Sequence, residues 1–316
     1  MKILVTGGAG FIGSALIKVL AERGDAVASV DNFNDYYDLK LKRARVEKFL
    51  AGLSFEMHET DICDYAALDK IFSQNTFDAI CHLAAQAGVR YSLENPFAYE
   101  KTNILGTLNL LELAKKYQVR NFIFASSSSV YGGNTKVPFS ETDRVDNPAS
   151  LYAVTKKADE LMAHTYHHLY AMNCTGLRFF TVYGPWGRPD MALFKFTKAI
   201  IKGEPIDVYN NGKMERDFTY IDDIVDGIMH AIDKNSGYEI YNLGNSKPIE
   251  LEYFIQMIEK NLGKTAKKNL LPMQKGDVPK TWADINKAKT KLGWEPKTGI
   301  EEGIKKFVKW YTKILS

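Results

Sequence analysis

Tyr152 and Lys156 stand four residues apart in the stretch Ser150-Leu151-Tyr152-Ala153-Val154-Thr155-Lys156, so on a helix they share one face, a turn apart. A lysine ammonium beside a phenol favours the phenolate and turns the tyrosine into a proton acceptor near neutral pH. Ser150 suits the N-cap of that helix, and Leu151, Val154, Ala158, Leu161 and Met162 recur at helical spacing along its other side. The pair alone says little, because Tyr-x-x-x-Lys arises by chance in many helices. It gains meaning if the chain also holds something for a phenolate to work with.

The N-terminus supplies that. Residues 2–6 read as a buried strand, and Gly7-Gly8-Ala9-Gly10-Phe11-Ile12-Gly13 follows at once. A helix carrying Ile12, Leu16, Ile17 and Leu20 then stops at Gly24, and a second strand over 26–30 ends in Asp31. Strand, glycine turn, helix and acid form the context a dinucleotide fingerprint requires. Glycine lets the backbone turn tightly and approach a pyrophosphate, which sits on the helix N-terminus. Asp31 can accept hydrogen bonds from ribose hydroxyls and would repel a 2′-phosphate, so NAD is expected rather than NADP.

The elements that must position these groups alternate along the chain. Strands are expected over residues 55–58, 77–83, 122–125 and 175–180, with an amphipathic helix over 103–117. Asp61 and Ile62, after the third strand, are placed to meet the adenine. The strand over 122–125 runs into Ser126, Ser127, Ser128 and Ser129, at the carboxyl end where ligands of open α/β sheets gather; a plain polar loop is the alternative. The expected fold is an α/β, Rossmann-type doubly wound parallel sheet, residues 1–180, followed by a smaller α/β substrate-binding region, 181–316. The chain is free to cross between the two. In the second region helices are read over 193–202, 222–232, 251–262 and 300–314, with strands over 206–209 and 239–242.

Composition narrows the partners. With 41 Lys and Arg against 38 Asp and Glu, the net charge of +3 gives no case for nucleic acid. Lys264, Lys267, Lys268, Lys305 and Lys306 read as solvated faces. Cys63, Cys81 and Cys174 have no metal-like spacing and suit a reducing compartment. His164, His167 and His168 share a polar helix without an acidic or cysteine partner, so no metal is expected. The opening apolar run is too short for a signal peptide, and no run could span a membrane. A soluble cytoplasmic protein is expected.

Thr6-Gly7-x-x-Gly10-x-x-Gly13, Asp31, Leu83-Ala84-Ala85, Asn103, Ser127 and Tyr152-x-x-x-Lys156 together resemble the extended short-chain dehydrogenase/reductases. Arg216-Asp217-Phe218-Thr219-Tyr220-Ile221-Asp222-Asp223 is similar to their phosphate-binding segment, and Gly276-Asp277-Val278 to their C-terminal signature. The nearest likeness is to NAD-dependent nucleotide-sugar 4-epimerases, above all those of UDP-glucuronate. Gly88-Val89-Arg90-Tyr91-Ser92, Gly184-Pro185-Trp186-Gly187-Arg188-Pro189-Asp190-Met191 and Met273-Gln274-x-Gly276-Asp277-Val278 carry it. Related dehydratases and decarboxylases have an acid directly before Val-Tyr-Gly, where this chain has Ser129. Galactose-type epimerases have Asn where this chain has Thr181. The glucuronate branch often has Thr where this chain has Ser126.

The resemblance implies catalysis by Tyr152, Lys156 and Ser127. It implies cofactor contacts from Gly7, Gly10, Phe11, Ile12, Gly13, Asp31, Asn32, Asp61, Ile62, Leu83, Ala84, Ala85 and Asn103, besides Tyr152 and Lys156. Arg90, Ser126, Ser127, Ser128, Thr181, Arg188, Arg216 and Asp277 would meet a UDP-sugar. Ser126, Thr181 and Arg188 would grip a sugar carboxylate, and Arg216 the pyrophosphate. A homodimer through the helices over 103–117 and 150–169 is implied too. Two alternatives stay open: epimerisation of neutral UDP-sugars, and an NAD-binding regulator without catalysis.

Overall fold

Among the residues that the computed structural model describes, 1–273 and 280–314, ten strands matter for the site. They are Lys2–Thr6 (β1), Ala26–Asp31 (β2), Glu56–Glu59 (β3), Ala79–His82 (β4), Asn121–Ser127 (β5), Asn173–Phe179 (β6), Thr181–Tyr183 (β7), Pro205–Tyr209 (β8), Glu215–Tyr220 (β9) and Tyr238–Leu243 (β10). Seven of them form one parallel sheet in the order β10-β6-β5-β4-β1-β2-β3. Helices cover both faces, so central strands read as continuous apolar runs: Ile3, Leu4 and Val5 of β1 are all fully buried. The helices Gly106–Lys116 and Leu151–Tyr170 pack with Leu4, Ile80, Phe122 and Phe124 on one face. The helices Phe11–Arg23, Ile221–Asp233 and Ile300–Ile314 share the core of the other. Chain order reverses between β1 and β4, which opens a crevice beyond their carboxyl ends.

The chain crosses back from its second region. Strand β10 pairs parallel with β6 from Tyr238 opposite Cys174 to Leu243 opposite Phe179. A smaller sheet centres on β9, which pairs with β7 and with Pro248–Glu250 and Lys280–Thr281. Strand β8 pairs separately with Lys267–Leu271. Buried Asp217 on β9 ties the smaller sheet to the segment after β10, accepting from the backbone N–H groups of Asn245 (2.6 Å), Ser246 (3.0 Å) and Ala283 (3.0 Å).

Two expectations on boundaries change. The strand expected over 122–125 continues to Ser127, because β6 pairs with it up to Ser127 opposite Phe179. The serines therefore divide between a strand end and the 3₁₀ turn Ser128–Tyr131. The helix expected from residue 103 begins earlier, at Pro96–Tyr99, and passes through a wide π-turn, Glu100–Leu105, before Gly106–Lys116. A widened turn re-aims the side chain it carries, and here that residue is Asn103.

Candidate active site

A cleft of about 1080 Å³ lies over the carboxyl ends of the large sheet and continues against β8 and β9. Its floor is the glycine turn after β1. Gly7 has φ +76°, and a Cβ there would stand 2.8 Å from the Ala84 nitrogen. A Cβ on Gly13 would collide with the Gly7 carbonyl. No side chain caps the helix Phe11–Arg23 at Gly10, so its leading N–H groups are available to an anion. Asp31, at the end of β2, faces the cleft with its carboxylate fixed by the N–H groups of Ala9 (3.0 Å) and Phe33 (2.8 Å). Asn32, Ile62, Leu83, Ala84 and Ala85 line the same side. A bare helix N-terminus, a turn only glycine fits and an acid at the second strand end suit a dinucleotide.

Two expected cofactor contacts, Asp61 and Asn103, bond to residues that line the cleft. Asp61 accepts from the Asn32 amide (3.1 Å) and the Cys63 N–H (2.8 Å), and so braces Asn32. Asn103 is fully buried: its Oδ1 accepts from Gln86 N (2.8 Å), and its Nδ2 donates to Gln86 O (3.1 Å) and Thr155 Oγ1 (2.9 Å). Both ends of the amide are spent on protein. Asn103 therefore joins the segment after β4 to the tyrosine helix.

The tyrosine helix, Leu151–Tyr170, starts where expected, with Ser150 Oγ accepting from Ala153 N at 3.2 Å. Tyr152 faces the cleft, its ring edge-on to Tyr99 with centroids 6.0 Å apart. Lys156 also lines the cleft, almost wholly buried, and its Nζ contacts Asp159 Oδ2 at 3.1 Å. Ser127, Ser128 and Ser129 approach from the end of β5. Ser127 Oγ accepts from Ser129 N and donates to Ser129 Oγ, both at 3.1 Å. The structure thus brings Tyr152, Lys156 and Ser127 into one cavity.

The expected carboxylate grip is altered in two places. Ser126 donates its hydroxyl to Glu160 Oε1 at 2.7 Å, and Arg178 clamps that carboxylate at 2.8 and 2.9 Å. Ser126 lines the cleft with its proton directed to Glu160. Arg188 reaches the cleft but is held side-on by Asp190, with Nε at 3.0 Å from Oδ1 and Nη2 on Oδ2. Burial opposes the Arg188 charge, and the Asp190 carboxylate more than restores it. Tyr36, from the loop after β2, donates to Asp190 at 3.3 Å. Thr181 lines the cleft at the start of β7. Arg216 lines it with Nη1 on the Glu215 carbonyl at 3.0 Å, and Arg90 lies over the Tyr209 ring at 5.2 Å. Asp277, with Gly276 and Val278, lies outside the described residues.

Elsewhere, His167 contacts the Met172 carbonyl at 2.8 Å, and His164 packs edge-on against Tyr238. No group of three metal-type side chains forms among the described residues.

A seven-stranded Rossmann sheet with a tyrosine–lysine helix over its cleft defines a nucleotide-dependent enzyme of the short-chain dehydrogenase/reductase class. The chain belongs to the family described as GDP-mannose 4,6 dehydratase, whose model matches residues 4–307. UDP-glucuronate 4-epimerase 4 of Arabidopsis thaliana is 51% identical over 334 residues, covering 100% of this chain and 76% of its own. A UDP-glucuronic acid 4-epimerase from Bacillus cereus, solved with UDP-glucuronic acid and NAD, superposes with a TM-score of 0.93 at 36% identity, over 99% and 100% of the two chains. A UDP-glucose 4-epimerase from Thermotoga maritima, solved with UDP-glucose, gives a TM-score of 0.91 at 36% identity, over 100% of both chains.

Sequence reasoning missed Asp190, Tyr36, Asp159, Glu160 and Gln86. Asp159 and Glu160 carried a signal, since they follow Lys156 and Lys157 at the i,i+3 helix spacing. The Tyr36–Asp190 contact joins residues 154 apart and carried none.

His82, at the end of β4, sits between Thr6 Oγ1 (2.7 Å) and Thr107 Oγ1 (2.9 Å) and is 2% exposed. Burial, with Lys156 adding to it, pushes its value down from 6.5 to about 3, so the folded protein keeps it neutral. The unfolded chain takes up this proton at higher pH than the folded one. Its contribution to stability is therefore complete above 6.5 and is lost as pH falls toward about 3. Urea unfolding at pH 7 and pH 4.5 should show a smaller loss of stability on acidification in His82→Gln than in the wild type.

Proposed function

We propose that this protein is an NAD-dependent UDP-sugar 4-epimerase whose substrate is UDP-glucuronate and whose product is UDP-galacturonate. One observation carries the choice of reaction. The cleft holds Tyr152, Lys156 and Ser127 together, while the place of a dehydratase acid is filled by Ser129, whose hydroxyl is engaged by Ser127. The homologous Arabidopsis and Bacillus cereus enzymes support the substrate. The bound cofactor supplies a hydride acceptor that becomes the donor when the hydride returns, so the cycle is redox-neutral. Tyr152 takes the proton from the sugar 4-hydroxyl and gives it back after the 4-keto sugar has turned over. Lys156 holds a positive charge behind that phenol, and Ser127 turns its hydroxyl from Ser129 to donate to the same sugar oxygen. Arg216 and Arg90 suit the pyrophosphate.

Arg188 reads the sugar carboxylate. Its pairing with Asp190 uses Nε and Nη2 and leaves Nη1 out of the pair. Thr181 adds a hydroxyl donor beside it. The same Asp190 favours a second reading, a neutral UDP-sugar, because it already balances the guanidinium charge. The β-keto acid formed from UDP-glucuronate is prone to lose CO2, so a grip on its carboxylate also protects it.

An exposed apolar stripe supports a homodimer. Leu105 (40% exposed), Leu108 (37%), Val154 (40%) and Leu161 (57%) stand on the two adjoining helices named above. The three cysteines are free thiols, and no helix among the described residues is long and apolar enough to cross a membrane, which suits the cytoplasm.

Proton NMR of UDP-glucuronate with purified protein, which should carry its own NAD, tests the reading directly. UDP-galacturonate should accumulate without added cofactor, and no conversion would end the proposal. Tyr152→Phe should cut turnover by at least about a hundredfold while keeping substrate affinity. Near-normal turnover would remove Tyr152 from its role. Arg188→Ala should cost about 1.5 to 3 kcal/mol in kcat/KM on UDP-glucuronate, spare neutral UDP-sugars, and raise the fraction of UDP-4-keto-pentose. Equal losses on both sugar types, with no keto-pentose, would favour the neutral substrate. Sedimentation should give a dimer that Leu161→Glu dissociates.

A further inference from the structure

Behind Lys156 the protein keeps one carboxylate that neither cofactor nor substrate is needed to explain. Asp159 follows Lys156 by three residues on the tyrosine helix, so the two side chains share a face. The lysine and aspartate side chains are only 3% and 1% exposed, and Asp159 Oδ2 stands 3.1 Å from Lys156 Nζ. Around them the walls are polar but uncharged. The Thr107 hydroxyl, from the helix Gly106–Lys116, faces the same carboxylate without closing a hydrogen bond on Oδ1. Thr107 in turn holds His82, which holds Thr6 at the end of β1. His82 is neutral, as argued above. Glu160, one residue on, is taken up by Arg178, Ser126 and Lys157.

A buried ammonium without a counter-ion gives up its proton, often several pH units early, because burial penalises the charged form. Asp159 is the carboxylate that the structure sets against Lys156. We infer that Asp159 is the positioning residue of the catalytic pair: its carboxylate keeps Lys156 protonated and aims it, so that Tyr152 always faces a positive charge. The inference rests on reading Tyr152 and Lys156 as the proton-transfer pair. Asp159 is burdened in the same way, since burial pushes its carboxyl up to about 6 against the pull of Lys156. Neither partner suits the site without the other, as is usual for a buried ion pair.

The test watches Lys156 directly. In protein labelled with 13C at the lysine ε-carbon, the Lys156 signal is the one missing from Lys156→Met. In Asp159→Asn its titration midpoint should fall by at least about one pH unit. Asp159→Glu should return it toward the wild-type position. The alkaline limb of kcat/KM should move down with the NMR midpoint, a shift that a merely structural defect would not produce. Asp159→Ser, which leaves room for water, provides a second neutral variant if the amide disturbs folding. Equal midpoints in wild type and a folded neutral variant would overturn the inference. The NMR titration needs no substrate, so a wild-type enzyme inactive on every UDP-sugar would defeat the proposed function and leave this measurement standing.

Discussion

The active site depends on how one helix is fixed to two strands. Glu160 on the tyrosine helix accepts from Ser126 on β5 and from Arg178 on β6, and Arg178 and Glu160 are each almost wholly buried. Burial alone would push the Glu160 carboxyl up, and the Arg178 guanidinium pulls it below the usual range. Breaking such a pair by removing one partner leaves an uncompensated buried charge, at a cost of about 3 to 5 kcal/mol. Hydrogen-bond geometry therefore fixes the rotation of the helix, and apolar packing alone would tolerate small slips. Since Tyr152 and Lys156 sit on the same helix, that rotation decides whether they face the cleft.

The same logic recurs around the cleft. Asn103 spends its whole amide joining the segment after β4 to Thr155 on that helix. Arg45, fully buried, binds the Ala9 carbonyl at 3.0 Å and the Trp186 carbonyl at 2.7 Å, so it links the glycine turn to the loop that presents Arg188. Tyr36 and Asp190 make a second link between the same regions. Cofactor-side and sugar-side loops are thus not independent walls. A guanidinium with five donors in a rigid plane suits the task, because one side chain can satisfy carbonyls from two segments.

Periodicity and spacing made the local elements legible. The glycine turn, Asp31, the tyrosine helix and its Ser150 cap follow from residues close in sequence, and their structural context is short-range. What escaped was contact across the chain. That the Ser126 hydroxyl donates to Glu160, 34 residues later, is written in no local pattern. The π-turn at Glu100–Leu105, which carries Asn103, has no compositional mark. The end of β5 depended on how far β6 pairs with it, a tertiary fact that no strand propensity records. The return of β10 to the large sheet is likewise decided by pairing, although the segment itself reads as a strand.

A 4-epimerase must hold its nucleotide firmly and its sugar loosely, because the keto sugar presents both faces in turn. The cleft divides along that line. The side chains suited to the pyrophosphate are long and cationic, Arg216 and Arg90, and Arg90 is further steadied by the Tyr209 ring. Short residues, Ser127, Ser128, Thr181 and Gly88, line the same cleft as Tyr152. Gly88 has φ +111°, and a Cβ there would stand 2.8 Å from the Tyr36 hydroxyl and 3.8 Å from Arg188 Nη2. A side chain at that position would push against the group that orients Asp190 and narrow the space beside the guanidinium. Small residues and a braced guanidinium thus share one cleft, a combination that suits the rotation of a held sugar acid under the proposed reading. That combination is also what separates this cleft from a dehydratase site, where a fixed sugar and a further acid at the Ser129 position would be needed.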